Sequence, residues 1–227
     1  MKKSIYNNYL KLEDHGEVRS RGILHVLILT DLMGLFALLG PSELTFALPI
    51  ATVLGIILNA WALLYLIAPY RFESSFYLFF GVWGLFTSFI MFLVIQKFLY
   101  NIFQYQSLQF FYISLALYVL CIIGVQVLHL LFLYERLNPP KGPKRNWTPL
   151  VAITPALSYV VGQLIYSIIV SEDIKALIFV ACESLLILYP IFCIKFIHQY
   201  YFLRKNKQTL NEKYPNLNLP KKNRRLG

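Results

Sequence analysis

Charge is scarce in this sequence. Only 14% of its 227 residues are Asp, Glu, Lys or Arg, whereas a soluble domain carries about 25%, too little here to cover an ordinary water-facing surface. Acidic residues are scarcer still, 11 against 21 basic ones. The three cysteines, Cys121, Cys182 and Cys193, stand inside apolar runs with no C-x-x-C or Cys/His spacing. They are therefore expected to be small buried hydrophobes, with no disulfide framework and no metal site. Also missing are a nucleophile elbow, a glycine-rich phosphate loop, H-E-x-x-H, a paired-aspartate phosphotransfer motif and intramembrane protease signatures. An enzyme is accordingly not expected, and no cofactor is implied. Alternation in blocks of about ten residues, the mark of a transmembrane β-barrel, is absent as well.

What the chain has is length in its apolar runs. Hydrophobic residues make up 58%, aromatics 16%, and mean hydropathy is +0.59. A helix needs roughly 20 apolar residues to cross a bilayer, and six runs reach that order of length: 22–40, 44–68, 75–99, 107–134, 149–170 and 173–198. The expected fold is all-α, a polytopic helical membrane protein with six transmembrane helices. Five parts follow: a cytoplasmic or interfacial segment 1–21, a four-span unit 22–134, a Pro-rich basic connection 135–148, a two-span hairpin 149–203, and a basic tail 204–227. Ser4 as a cap and the spacing of Ile5, Tyr6, Tyr9 and Leu12 allow a short interfacial helix at the N-terminus. No small-x-small site ends the first apolar run, so a cleavable signal peptide is not expected.

The distribution of the positive charges orients the chain. Lys and Arg number five in residues 1–21, one in 69–74, four in 135–148 and nine from Lys195 onward, while the first, third and fifth connections contain none. The positive-inside rule then places both termini in the cytoplasm. The two remaining lysines, Lys97 and Lys175, lie near predicted outer ends, where they are expected to snorkel. Basic cytoplasmic ends attract anionic lipid head groups, so the net charge of +10 does not call for a nucleic-acid partner. The expected partners are the bilayer and either another membrane protein or a second copy. Richness in Lys, Asn, Ile, Phe and Tyr suits an AT-rich bacterial genome, hence a bacterial plasma membrane.

Polar residues within the runs are the candidate site. Counting from the outer turns at 1.5 Å per residue puts Asp31 11 residues from Ser42, with Gln163 nine and Glu183 11 from Glu172, at one mid-membrane level. His25 and Asn59, each 17 from Ser42, lie deeper, as do Pro155 and Pro190, 17 and 18 from Glu172. Ionised carboxyls are costly in hydrocarbon, so Asp31 and Glu183 are expected to face the interior, with at least one of them neutral and hydrogen-bonded. The spacing predicts a Gln163–Glu183 pair with Asp31 nearby. Such residues act either as interhelical polar glue or as a path for protons, ions or a substrate group. Pro155 and Pro190 are expected to kink their helices, as hinges or as static bends. Three functions fit: a small transport or permease-type subunit; a non-catalytic accessory, regulatory or immunity-type protein binding another membrane component; and, third, a membrane enzyme acting on a lipid. In topology alone, six spans with both termini inside resembles small permease subunits and vitamin-uptake binding subunits.

Overall fold

A computed structural model describes residues 12, 15–104, 107–137 and 171–214. Every element among them is helical. Five stretches are long and apolar enough to cross a membrane: Gly16–Leu38, Ala47–Ile67, Phe76–Phe103, Gln109–Leu131 and Ile174–Lys205. We call these the first, second, third, fourth and last spans. The predicted span 149–170, with Pro155 and Gln163, lies outside the described residues, as do the N-terminal Ser4–Tyr9 stripe and most of the 135–148 connection.

The first span starts as an α-helix, His15–His25, becomes a π-helix over Val26–Leu35, and ends in the short α-helix Phe36–Leu38. Its wide pitch shows in the amide of Phe36, which donates to the Asp31 carbonyl five residues back. π-Helical stretches are normally single turns found at functional sites; this one runs ten residues. Gly40 then takes a left-handed φ of 89°, the usual helix stop at low steric cost. The second span returns antiparallel, with Leu35 seated over Gly55, where a Cβ would lie 2.5 Å from the leucine Cδ1. Asp31 meets Asn59 in the same register. Both pairs centre on Thr45, not Ser42, so Asp31 and Asn59 are each 14 residues from the middle of the turn and share one level.

The third span is the axis of the bundle. It is apolar all round, as a helix covered on every side must be, and 67% of its most apolar stretch is buried, against 28% or less for each other span. Trp83, Phe79, Ile90, Met91 and Leu93 are fully enclosed. The first span runs parallel to it, Thr30 meeting Thr87 and Ala37 meeting Lys97. The fourth runs antiparallel, with Ser88 and Phe92 against Tyr118 and Tyr100 against Phe111.

The last span is broken into helices Glu172–Leu186, Leu188–Cys193 and Lys195–Lys205. Proline at position 190 has no amide to give the Leu186 carbonyl, which accounts for the first break. The bent helix lies against Gly81 and Gly84 of the third span. An added Cβ at Gly84 would come within 2.4 Å of the Pro190 carbonyl oxygen, and one at Gly81 within 2.7 Å of the Ile197 amide. Small residues that let backbones touch are the usual means of helix association in lipid. Helix continues through Lys207–Lys213, so part of the basic tail is ordered, and Leu210 packs with Leu203, Tyr77 and Leu12. This cluster holds both ends of the described chain at one end of the bundle.

Gly84→Leu should destabilise the protein by about 1–3 kcal/mol, the usual cost of overpacking. Gly124→Ala, where a Cβ meets nothing within 4 Å, should stay within about 0.5 kcal/mol. Unfolding by SDS titration in micelles compares the two.

Candidate functional site

Among the described residues, the predicted His25, Asp31 and Asn59 fall into two polar groupings, and Glu183 lies apart from both. The first grouping is wholly enclosed. Trp83 donates its indole N–H to Thr30 Oγ1 at 3.0 Å, and the Thr30 and Thr87 hydroxyls bond at 2.7 Å, all three residues having no exposed surface. One turn toward the basic end, His25 Nδ1 lies 2.8 Å from the Arg21 carbonyl oxygen, which can only accept, so Nδ1 carries the proton. In the neutral imidazole, Nε2 then accepts from the Tyr189 hydroxyl at 2.7 Å, a bond from the first span to the last. Phe80 and Trp83 meet the imidazole edge-on at 5.2 and 5.3 Å. Pro190 directs this meeting: it is the next residue after Tyr189 and brings the bent backbone onto Gly84.

The second grouping is the Asp31–Asn59 pair. Asn59 Nδ2 donates to Asp31 Oδ1 at 2.9 Å and to the Gly55 carbonyl at 3.0 Å. Both residues are only half-buried, on the outer seam of the first hairpin.

Glu183 stands apart. Gly84 meeting Cys193 and Phe98 meeting Phe179 fix one antiparallel register between the third and last spans. Thr87 is thus level with Pro190, and Glu183 with Val94. Because Thr30 bonds Thr87, Asp31 is level with Tyr189, six residues or about 9 Å of rise from Glu183. Glu183 is 3% exposed, and its Oε2 has no hydrogen-bond partner among the described residues. On the neighbouring third span, Gln96 Oε1 is likewise buried and unpartnered.

The expected Asp31–Glu183 neighbourhood is therefore corrected. Counting from Ser42 and Glu172 assumes that those residues mark equal depths, but the first hairpin turns about Thr45. The same error separated Asn59 from Asp31 and joined it to His25, which lies six residues, about 9 Å, from Asp31 along the span. Gln163 and Pro155 lie outside the described residues. Lys97 does not snorkel: it is 4% exposed, and its ammonium donates to the Ala37 and Leu39 carbonyls at 3.2 and 2.6 Å, closing the end of the first span. Sequence reasoning passed over Thr30, Thr87, Trp83 and Tyr189. Only their occurrence inside runs of Leu, Ile and Phe marked them, and hydroxyls and indoles are common enough there to carry little signal.

Comparison with known protein families, with curated proteins and with solved structures found no match to this chain.

Thr30 serves two partners and Thr87 one. Thr30→Val, which orphans the Trp83 N–H, should cost about 1–3 kcal/mol, and Thr87→Val roughly 0.5–1.5 kcal/mol. Equal losses in unfolding free energy would show that the indole has another acceptor.

Proposed function

We propose that this integral membrane protein is a small transport-type subunit in which the last span moves against the third and Glu183 engages a proton, cation or cationic group. The carrying observation is Glu183 itself, enclosed beside a helix break with one carboxyl oxygen unpartnered among the described residues. Leaving a buried acceptor without a donor is costly, and an ionisable group within a span usually marks a path. Interrupted helices are also how transporters place ion sites, with half-helix C-terminal ends favouring positive charge. The break at Ile187 lies between Glu183 and Tyr189, so bending there alters the separation of Glu183 from the Tyr189–His25 bond. The reading assigns no catalysis.

The proposed arrangement has six crossings in a bacterial plasma membrane, with both termini cytoplasmic. Support comes from the Leu12–Leu203–Leu210 cluster: two ends on one side require an even number of crossings, and five spans are described. Arg19, Arg21, Arg204 and Lys205 gather at that end, which the positive-inside rule assigns to the cytoplasm, within reach of anionic head groups.

A second reading, an accessory protein that docks another membrane component, draws on the fourth span, of whose most apolar stretch only 11% is buried. Access to Glu183 separates the two. With Cys121, Cys182 and Cys193 replaced by Ala, Glu183→Cys should react with a membrane-impermeant thiol reagent from one side of sealed vesicles. Reaction only after detergent denaturation means a dry interior and favours the accessory reading. A C-terminal green fluorescent protein fusion should fluoresce in cells; a dark fusion at normal expression would overturn the cytoplasmic assignment.

A further inference from the structure

The outer seam of the first hairpin presents a contradiction that the described residues do not resolve. Leu27, Ile28 and Leu32 on one helix and Ile56 and Leu63 on the other are exposed, 39–64% of each. That face is suited to lipid tails. Yet Asp31 and Asn59 sit in its middle, and their mutual bond satisfies them only in part. Asn59 spends both amide protons, on Asp31 Oδ1 and on the Gly55 carbonyl. Among the described residues, Asp31 Oδ2 and Asn59 Oδ1 have no hydrogen-bond partner, and both residues keep open surface. Hydrocarbon offers neither donor nor acceptor, and carboxyls inside spans face protein or water.

We infer that this seam is the contact surface of a homodimer, with Asp31 of each copy hydrogen-bonded to the partner's Asn59. The two unmet groups complement each other. A neutral Asp31 carboxyl has one O–H to donate from Oδ2, and Asn59 Oδ1 has lone pairs to accept it. Under a two-fold axis along the membrane normal, each protomer supplies one donor and one acceptor, and each receives the other. Isologous contacts require this reciprocity of residues i to j and j to i. A second copy therefore satisfies all four groups with no further chemistry, and branched aliphatic side chains on both sides supply the packing that drives association in lipid. The level is favourable too, since the pair sits 14 residues from the turn on either helix, well inside the bilayer. The dimer stands whether or not Glu183 serves transport.

The test uses the full-length chain in vesicles of phosphatidylethanolamine and phosphatidylglycerol. One fluorophore per chain should bleach in two steps for most particles at high lipid dilution. With the three native cysteines replaced by Ala, at least one of Ile28→Cys, Leu32→Cys and Ile56→Cys should form an oxidative cross-linked dimer, and Leu120→Cys on the fourth span should not. Asp31→Leu should weaken dimerisation about tenfold, the scale of an interhelical polar contact. Asp31→Asn should retain the dimer, because its amide donates where the carboxyl did. If Asp31→Leu fails to reach the membrane, Asn59→Leu is read in the same way. Single-step bleaching with no cross-link at the three seam positions overturns the inference, as it would if another protein or another segment of the same chain covered the seam. So does a dimer that Asp31→Leu or Asn59→Leu leaves equally populated.

Discussion

The backbone contact between Gly84 and Pro190 governs where the polar side chains of the bundle stand. At most helix crossings side chains keep the two backbones well apart, and here the glycine removes that spacer. The carbonyl of the bent last span is thereby set onto the third span itself. From that point the register runs along the last span: just before the proline it delivers Tyr189 to His25, and farther from the basic end it buries Glu183 against the third span. The proline contributes the bend, the glycine the room, and neither suffices alone. A straight helix would carry Tyr189 past the imidazole, and a side chain at position 84 would hold the whole last span away.

The interior polar groups fall into three energetic conditions. Trp83, Thr30 and Thr87 bond one another where none of the three has exposed surface. Networks of this kind specify one packing, because any slip strands a donor. Asp31 and Asn59 are half complete, paired with each other but still open on their outer side. Glu183 and Gln96 each retain a buried oxygen without a partner among the described residues. Stability accounts for the first condition. Packing among the described residues does not account for the second and third, and the proposals above rest on them.

The sequence made the architecture legible because the constraint that shapes it is coarse. Length of apolar run, proline and glycine at the turns, and scarcity of charge were enough to place the described spans to within a few residues at most ends. Depth along a span was less legible: the first hairpin turns about Thr45, and a three-residue error in its centre moved Asn59 away from its true partner. The π-helix was not legible at all, since Val26–Leu35 has the composition of any apolar helix. Rotation was the other hidden variable. Asp31, Asn59 and Glu183 were recognised as residues that need company, but which face each presents depends on packing that a single span does not encode.

Lys97 carries a consequence for the order in which the protein can be built. Its ammonium closes the carbonyls of Ala37 and Leu39, and the indole of Trp83 occupies the hydroxyl of Thr30. In both cases the third span completes the first, so the first two spans, made before the third, enter the bilayer with these groups still open. Asp31 and Asn59, by contrast, belong to that hairpin and can meet as soon as its two helices do. The Asp31–Asn59 pair is thus matched before the third span is made, and the carbonyls left waiting lie at the turn end of the hairpin until the third span arrives.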